Sequence, residues 1–464
     1  MTSVKPLSSR AGMDMCNGPM AGKLILFALP LMLSRIVQLL FNAADIVVVS
    51  KFCGDSSLAA VGSTTSIINL MLNVFFGLST ATNILCARSL GKKKYDDVEK
   101  IVHTSILLSA IAGILVAILG ITISRPALIL MKSPDNVIDL STLYFRIYCL
   151  GMPASVVYNF GSALLNSKGD TKKPLYIITV SGIINFALNL FFVTVCGMSV
   201  DGVAAATVIS QYVSAFCVIY SLMKDEGVIR LDIKKLSIHK KQLLDIIKIG
   251  FPAGCQGLVF SLSNVIVQSS VNIFGKDLMA GYAAANSIQG FLYSAMNAFY
   301  QANLTFTSQN VGAGKWDRVR RSLLLNISYV TVIGISLGSI TFAFSKHLLG
   351  IYISEPSVIE HGINCARFLW LPVFLCGLME TSMGGIRGMG HTTLPMIVSM
   401  LGACGIRVLW IATVFQMHPT THVLFMAYPL SWGMTAIAHI TCYIIIYKKE
   451  KKAALTKAAA NSTQ

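Results

Sequence analysis

The sequence predicts an all-α polytopic membrane protein with twelve transmembrane helices arranged as two six-helix repeats. Three observations carry this reading. The 464 residues are 54% hydrophobic and only 12% charged, against about 25% charged in an ordinary soluble domain. Apolar segments of about 20 residues, each long enough to cross a bilayer as a helix, recur from Leu24 to Tyr447. The second half also echoes the first at an offset of 221 residues, with GKKKYDDVEK from Gly91 returning as GAGKWDRVRR from Gly312. That register pairs Lys94 with Lys315, Tyr95 with Trp316, Asp96 with Asp317, Val98 with Val319 and Lys100 with Arg321. It also turns Gly169-Asp170-Thr171 and Pro174 into Gly390-His391-Thr392 and Pro395, and carries Arg146 onto Arg367.

In chain order the apolar segments are 24–49, 58–86, 102–124, 142–165, 175–196 and 202–223, then 246–273, 279–309, 322–345, 362–385, 394–416 and 424–447. The first is too long for a signal-peptide core and has no small-residue cleavage site, so it reads as a retained helix. The expected organisation is a tail at 1–23, a six-helix lobe at 24–223, a polar linker at 224–245, a second lobe at 246–447 and a basic tail at 448–464. Each half opens with a helix carrying proline near its start (Pro30, Pro252) and a short turn, Cys53-Gly54-Asp55 or Gly275-Lys276-Asp277. Six helices is an even number, so both halves enter the membrane in the same orientation, related by an axis along its normal. Duplicated bundles in so apolar a chain point towards a transporter in which two lobes flank a cleft and rock.

The net charge of +17 is mostly topology. The N-terminal tail, 88–100, 166–173, 223–248, 312–321, Arg387 and the C-terminal tail hold 28 of the 37 basic residues. The opposite loops hold five: Lys51, Arg125, Lys132, Lys276 and Lys346. This positive-inside pattern places both termini in the cytoplasm of a plasma-membrane protein and argues against a nucleic-acid partner. Eleven scattered cysteines form no CxxC, and eight histidines form no HExxH, so neither a disulfide framework nor a zinc site is expected. Gly314-Lys315 is followed by Trp316, not Ser or Thr, so it is no phosphate loop. No enzymatic motif and no cofactor are expected, and a transport cycle here would run on an ion gradient.

Polar residues within spans face bundle interiors or aqueous cavities. Helix two carries Ser66, Asn69, Asn73, Gly77, Thr80 and Asn83 at three-to-four spacing, and helix eight carries Ser287, Gly290, Ser294, Asn297, Gln301, Thr305 and Ser308. Each set forms one stripe, read as a cavity lining or as hydrogen-bonding glue between helices. Helix seven adds Gln256 and Asn264, and its Gly250–Gly254 GxxxG allows close packing. Two acids lie well inside spans, Asp45 and Glu380. Asp45 shares a face with Ser34, Gln38 and Asn42; a desolvated carboxylate there either takes up and releases a proton or supplies the charge of a Na+ site. Arg35, ten residues earlier, is about 15 Å away along the axis. Glu380 reads either as a second cation-coupling acid or as the structural partner of Arg387 two turns on, and His439 as a proton relay or a packing residue.

These residues resemble the multidrug and toxic compound extrusion (MATE) family over about residues 20–450. The matching elements are NAADIVVVSKFCG followed by LAAVG, the Gly-x-x-Lys-aromatic-Asp loops of both halves, LLNSKGDTKKP after helix four, and GGIRGMGHTTLP after helix ten. The resemblance implies two lobes forming a V-shaped cavity, and export of mostly cationic, amphipathic compounds in exchange for H+ or Na+. One branch builds a cation site in its N-terminal lobe from an Asp on helix one, Asn and Asp on helix five and a Thr on helix six, which the resemblance maps onto Asp45, Asn185, Asn189 and Thr207. The helix-five pattern reads here as Asn185-Phe186-Ala187-Leu188-Asn189, so its acid has become an amide. Another branch uses acids on helices seven and ten; helix seven here has none, and Glu380 sits about one turn after the usual helix-ten position.

The expected function is therefore a secondary active antiporter for small organic molecules, coupled through Asp45, with Gln38, Asn42, Asn69, Asn73, Gln256, Asn264, Asn297 and Gln301 lining the substrate path. A monomer in the lipid bilayer is expected. A lipid-linked saccharide flippase is the rival reading; it requires rings of basic residues within the spans, where only Arg35, Arg146, Arg367 and Arg407 lie nearby. A channel is the third, and fits duplicated rocking lobes poorly.

Overall fold

A computed structural model describes residues 12–131, 134 and 136–462. Lys5, Arg10 and Lys132, counted in the charge pattern, lie outside them. No strand occurs among the described residues. The long helices are α1 (Met20–Cys53), α2 (Asp55–Gly91), α3 (Tyr95–Leu130), α4 (Ile138–Leu150 and Met152–Ser167, bent by 46°), α5 (Lys172–Val195) and α6 (Val200–Met223). The second set is α7 (Lys240–Asn272), α8 (Lys276–Gly312), α9 (Trp316–Ala343), α10 (Pro356–Gly388), α11 (Thr393–Met417) and α12 (Thr421–Ser462). Ten of these, and α4 if its bent halves form one span, are long and apolar enough to cross a membrane. The 37-residue α8 is long enough, but its polar stripe keeps it too hydrophilic on average.

The repeated sequence motifs are helix junctions. Helix α2 ends at Gly91 and α8 at Gly312, and α3 and α9 start at the equivalent Tyr95 and Trp316. Between them Lys93 (φ 56°) and Gly314 (φ 70°) hold the same left-handed position, which glycine adopts freely and lysine only under constraint. Asp96 and Asp317 then sit in the first turns of α3 and α9, where a negative charge complements the helix dipole. Before α5, the Asp170 carboxylate accepts from the Lys173 amide at 3.2 Å, satisfying one of the free donors at that helix start.

The packing follows membrane rules. Along α3, Ile111, Ile114, Leu115, Ile118 and Leu119 are exposed, while Gly113, Ala117, Gly120 and Ser124 are buried. Large apolar groups thus meet lipid and small residues meet neighbouring helices. A close helix approach involves the GxxxG: a Cβ added to Gly77 of α2 would lie 2.3 Å from the Gly254 amide nitrogen and 2.6 Å from the Gly250 carbonyl oxygen.

Two compact units result. The first comprises Leu33–Leu90 and Lys94–Gly254, with residues 12–14 of the N-terminal segment; the second comprises Met15–Met32, Gly91–Lys93 and Cys255 onwards. Helices α1 and α7 therefore each contribute to both units, divided after Met32 and Gly254. In the first unit Lys168 and Asp225 form a buried ion pair beside the apolar cluster of Val102, Leu164, Leu165, Val218 and Leu222. In the second, residues 15–18 are strapped to the α8–α9 junction. Arg318 donates to the carbonyls of Met15 (3.1 Å) and Gly18 (3.0 Å), and Lys315 donates to that of Cys16 (2.9 Å).

Three helices contain π turns: Val49–Cys53 in α1, Phe191–Val195 in α5 and Met400–Ile406 in α11. Such turns accommodate one extra residue within a helix and are frequent at functional sites.

Candidate functional site

In the first unit, helices α1, α5 and α6 bring together all four residues that the resemblance assigned to a cation site. Asn189 Nδ2 donates to Asp45 Oδ1 at 2.5 Å and lies 3.4 Å from Asn185 Oδ1. Asn185 Nδ2 in turn donates to Thr207 Oγ1 at 3.4 Å, and the Thr207 hydroxyl donates to the Val203 carbonyl at 3.0 Å. Asn185 and Asn189 are buried, while Asp45 and Thr207 are half-buried. The spacing explains the assembly: Asn185 and Asn189 are one turn apart on α5 and project towards α1 and α6. Val48, Val49, Tyr144, Phe145, Val193, Val200 and Val203 belong to one apolar cluster around this corner.

The electrostatics are those of a carboxylate held by amides. No basic side chain forms an ion pair with Asp45 among the described residues. Its hydrogen-bond donor is a neutral amide, which satisfies the carboxylate without neutralising it. Asn189 Oδ1, on the other side of that amide, is buried with no hydrogen-bond partner. An acceptor without a partner beside a carboxylate that no basic side chain neutralises can take a hydrogen bond from a proton donor or coordinate a cation. Both Asp45 and Asn189 lie shortly before the π turns of their helices.

Glu380 lies in the second unit and is not part of this cluster. It is 5% exposed, and of its two readings the ion pair with Arg387 is not formed by direct contact. Arg387 instead donates to Gln256 Oε1 at 2.6 Å and to the Tyr300 hydroxyl at 2.7 Å. Glu380 forms no ion pair among the described residues. Arg387, counted above with the cytoplasmic loops, sits in the last turn of α10 and is itself 5% exposed. Gln256 is engaged at both ends of its amide: Nε2 contacts Met383 Sδ at 3.1 Å while its oxygen accepts from the guanidinium.

The other path candidates differ in setting. Asn42, Asn69 and Asn264 are exposed, and Gln38, Asn73, Asn297 and Gln301 are half-buried. Gln38 accepts from Arg35 at 3.4 Å, and the Arg35 guanidinium lies 5.0 Å from the Phe76 ring centre. On α8 the hydroxyls of Ser294, Thr305 and Ser308 donate back to carbonyls of their own helix at 2.8–2.9 Å. That part of the stripe is satisfied internally. His439 is wholly buried, with Nδ1 3.1 Å from the Met379 carbonyl and Nε2 3.3 Å from both the Pro395 carbonyl and the Ser399 hydroxyl. Those contacts tie α12 to α10 and α11. Trp370 is anchored by its indole N–H on the Ala285 carbonyl at 3.0 Å, and Tyr158 by its hydroxyl on the Pro174 carbonyl at 3.2 Å. Sequence reasoning placed Arg407 near a span but did not connect it with Asn264 and Tyr428, which it touches.

Comparisons with known proteins agree with this architecture. The MatE family model matches residues 30–191 and again 252–412, once per repeat. The chain is 25% identical to the probable multidrug resistance protein YoeA of Bacillus subtilis, over 92% of this chain and 94% of that one. It is also 25% identical to the probable multidrug resistance protein NorM of Thermotoga maritima, over 94% of each. A solved MATE family transporter of the MOP superfamily in an outward-facing conformation superimposes with a TM-score of 0.89 at 21% identity, covering 95% of this chain and 99% of that one. Two matches of one family model, one on each repeat of a multi-pass helical membrane protein, establish that this chain is a member of the MatE family.

Proposed function

We propose that the protein is a secondary active exporter that moves amphipathic, mostly cationic organic compounds out of the cell in exchange for a monovalent cation bound at Asp45. The observation that carries the coupling site is the Asp45 carboxylate, bonded to an amide at 2.5 Å beside a buried Asn189 oxygen without a partner. Two ions suit this donor set. A proton on Asp45 would be held by Asn189 after its amide rotates to present oxygen. Na+ would take oxygens from Asp45, Asn185, Asn189 and Thr207, the hard ligands such ions prefer. In either case the cation must bind one state of the transporter more tightly than the other, or no coupling results. We further assign the lobes to 24–223 and 246–447, both termini to the cytoplasm, and a monomer as the working unit.

The test is ethidium efflux from inside-loaded proteoliposomes under separately imposed inward H+ and Na+ gradients, comparing wild type with Asp45→Asn. Efflux accelerated by one gradient in wild type and indifferent to it in the variant identifies both the site and the ion. Gradient-driven efflux at the wild-type rate in Asp45→Asn would refute coupling at this residue. Wild-type indifference to both gradients would instead favour the flippase reading and call for lipid-linked substrates.

A further inference from the structure

The repeat allows the Asp45 corner to be located again in the second unit. The junctions after α1 and α7, at Gly54 and Gly275, stand 221 residues apart, whereas Pro30 and Pro252 stand 222 apart. The π turn Val49–Cys53, which follows Asp45, accounts for the extra residue. Likewise α5 and α11 start 221 apart, at Lys172 and Thr393, and α6 and α12 start 221 apart, at Val200 and Thr421. Between the π turns Met400–Ile406 and Phe191–Val195 the offset becomes 222. With these shifts Asn42 corresponds to Asn264, Asp45 to Val267, Asn185 to Arg407, Asn189 to Ile411 and Thr207 to Tyr428.

The second corner therefore has the opposite charge. Arg407 is 2% exposed near the middle of α11. It forms no ion pair with an acid among the described residues. Its contacts are Asn264 Oδ1 at 3.3 Å, Ser431 Oγ at 3.4 Å and the face of Tyr428, whose ring centre is 4.3 Å from Cζ. Tyr428 is fixed in turn by a 2.8 Å hydroxyl contact with Tyr282. Two long hydrogen bonds leave most of the five guanidinium donors unused, and Arg407 Nε is buried with no partner. A cation at membrane depth normally pairs with an acid or marks a ligand pathway. Asn264, the group beside it, is exposed and continues along α7 into half-buried Ser261 and Gln268. This polar row gives a ligand a way to reach the arginine.

We propose that Arg407, with Asn264, Ser431 and Tyr428, is an oxyanion subsite that receives the carboxylate or phosphate of an amphipathic organic ligand. A guanidinium presents paired donors in the geometry of both groups, and the aromatic face of Tyr428 holds it in place. The inference rests on the transporter reading and extends its substrate class from cations to zwitterions and organic anions.

Equilibrium binding to the purified full-length protein in nanodiscs, without any gradient, tests it with two matched probe pairs. Rhodamine B carries a free carboxylate that its ethyl ester lacks; flavin mononucleotide carries a phosphate that riboflavin lacks. Wild type is expected to prefer the anionic member of at least one pair by about tenfold or more, the scale of a charge-assisted contact. Preference confined to one pair assigns carboxylate or phosphate. The ratio should fall to about one in Arg407→Gln. It should fall similarly in Ser431→Asp, which keeps the arginine but sets an internal acid against it, so the subsite is tested even if the first variant does not fold. Ratios near one for both pairs in wild type, or a preference that survives both substitutions, would overturn the proposal. The measurement involves no coupling ion, so failure of the Asp45 mechanism leaves its result unchanged.

Discussion

Replacing Gly77 with alanine adds one methyl group where α2 crosses α7, and the structure sets what that methyl meets. Its carbon would lie 2.3 Å from the Gly254 nitrogen, 2.6 Å from the Gly250 oxygen and 2.7 Å from the Gly254 Cα, whereas ordinary contact begins at 3.4 Å. The deficit is about 1.1 Å against backbone atoms, which no rotamer change relieves. The helices must separate, and overpacking of this kind costs about 1–3 kcal/mol. Gly62, on the same helix, supplies the control: a Cβ there meets nothing within 4 Å. Gly62→Ala removes only glycine's flexibility and is expected to stabilise by about 0.5–1 kcal/mol. The two variants should thus differ by about 1.5–4 kcal/mol in opposite directions. Thermal unfolding in detergent, followed by loss of monodisperse protein, reads this as Gly77→Ala melting below wild type and Gly62→Ala at or above it. Equal melting temperatures for the two variants would refute the close crossing.

Breaking the Lys168–Asp225 pair, whose side chains are 7% and 2% exposed, by Lys168→Met is expected to destabilise by about 3–5 kcal/mol, because it strands a buried charge. Lys168→Met combined with Asp225→Leu should recover most of the loss in the same melting assay; no recovery would show that the lysine acts through something other than its partner. His439→Asn is expected to lower stability while leaving the pH profile of efflux unmoved, since the imidazole is enclosed by two carbonyls and a hydroxyl. A shifted profile would return this residue to a proton-relay role.

Most of the helices and the duplication were legible because lipid imposes its own pattern: a span must be long and largely apolar, and each repeated junction reuses the same turn residues. Asp45, Asn185, Asn189 and Thr207 were found through family resemblance, and the side chains do converge. Spacing along α5 alone predicts that two amides share a face, not which helix they meet. Spacing along α10 offered Glu380, two turns earlier on the same helix, as one possible partner of Arg387. The contacts it makes are with Gln256 and Tyr300, on α7 and α8, which no local pattern reveals. The Arg407 corner escaped for a different reason. The π turns shift the repeat by one residue in the stretches that matter, so a constant offset of 221 pairs Arg407 with Phe186 and conceals its kinship with Asn185.

The strap at residues 15–18 sets an order of events during synthesis. Its partners Gln309, Lys315 and Arg318 lie 293–303 residues further along the chain. At about 5–20 residues per second, the ribosome needs roughly 15–60 s after making the strap to produce them. Met15–Met32 thus emerges long before its packing partners, because Phe27 also meets Phe306 edge-to-face at 5.7 Å between ring centres. The first helix must wait in the membrane with its leading turns uncovered until the eighth has been inserted. The second unit, for its part, cannot finish folding from its own half of the gene alone.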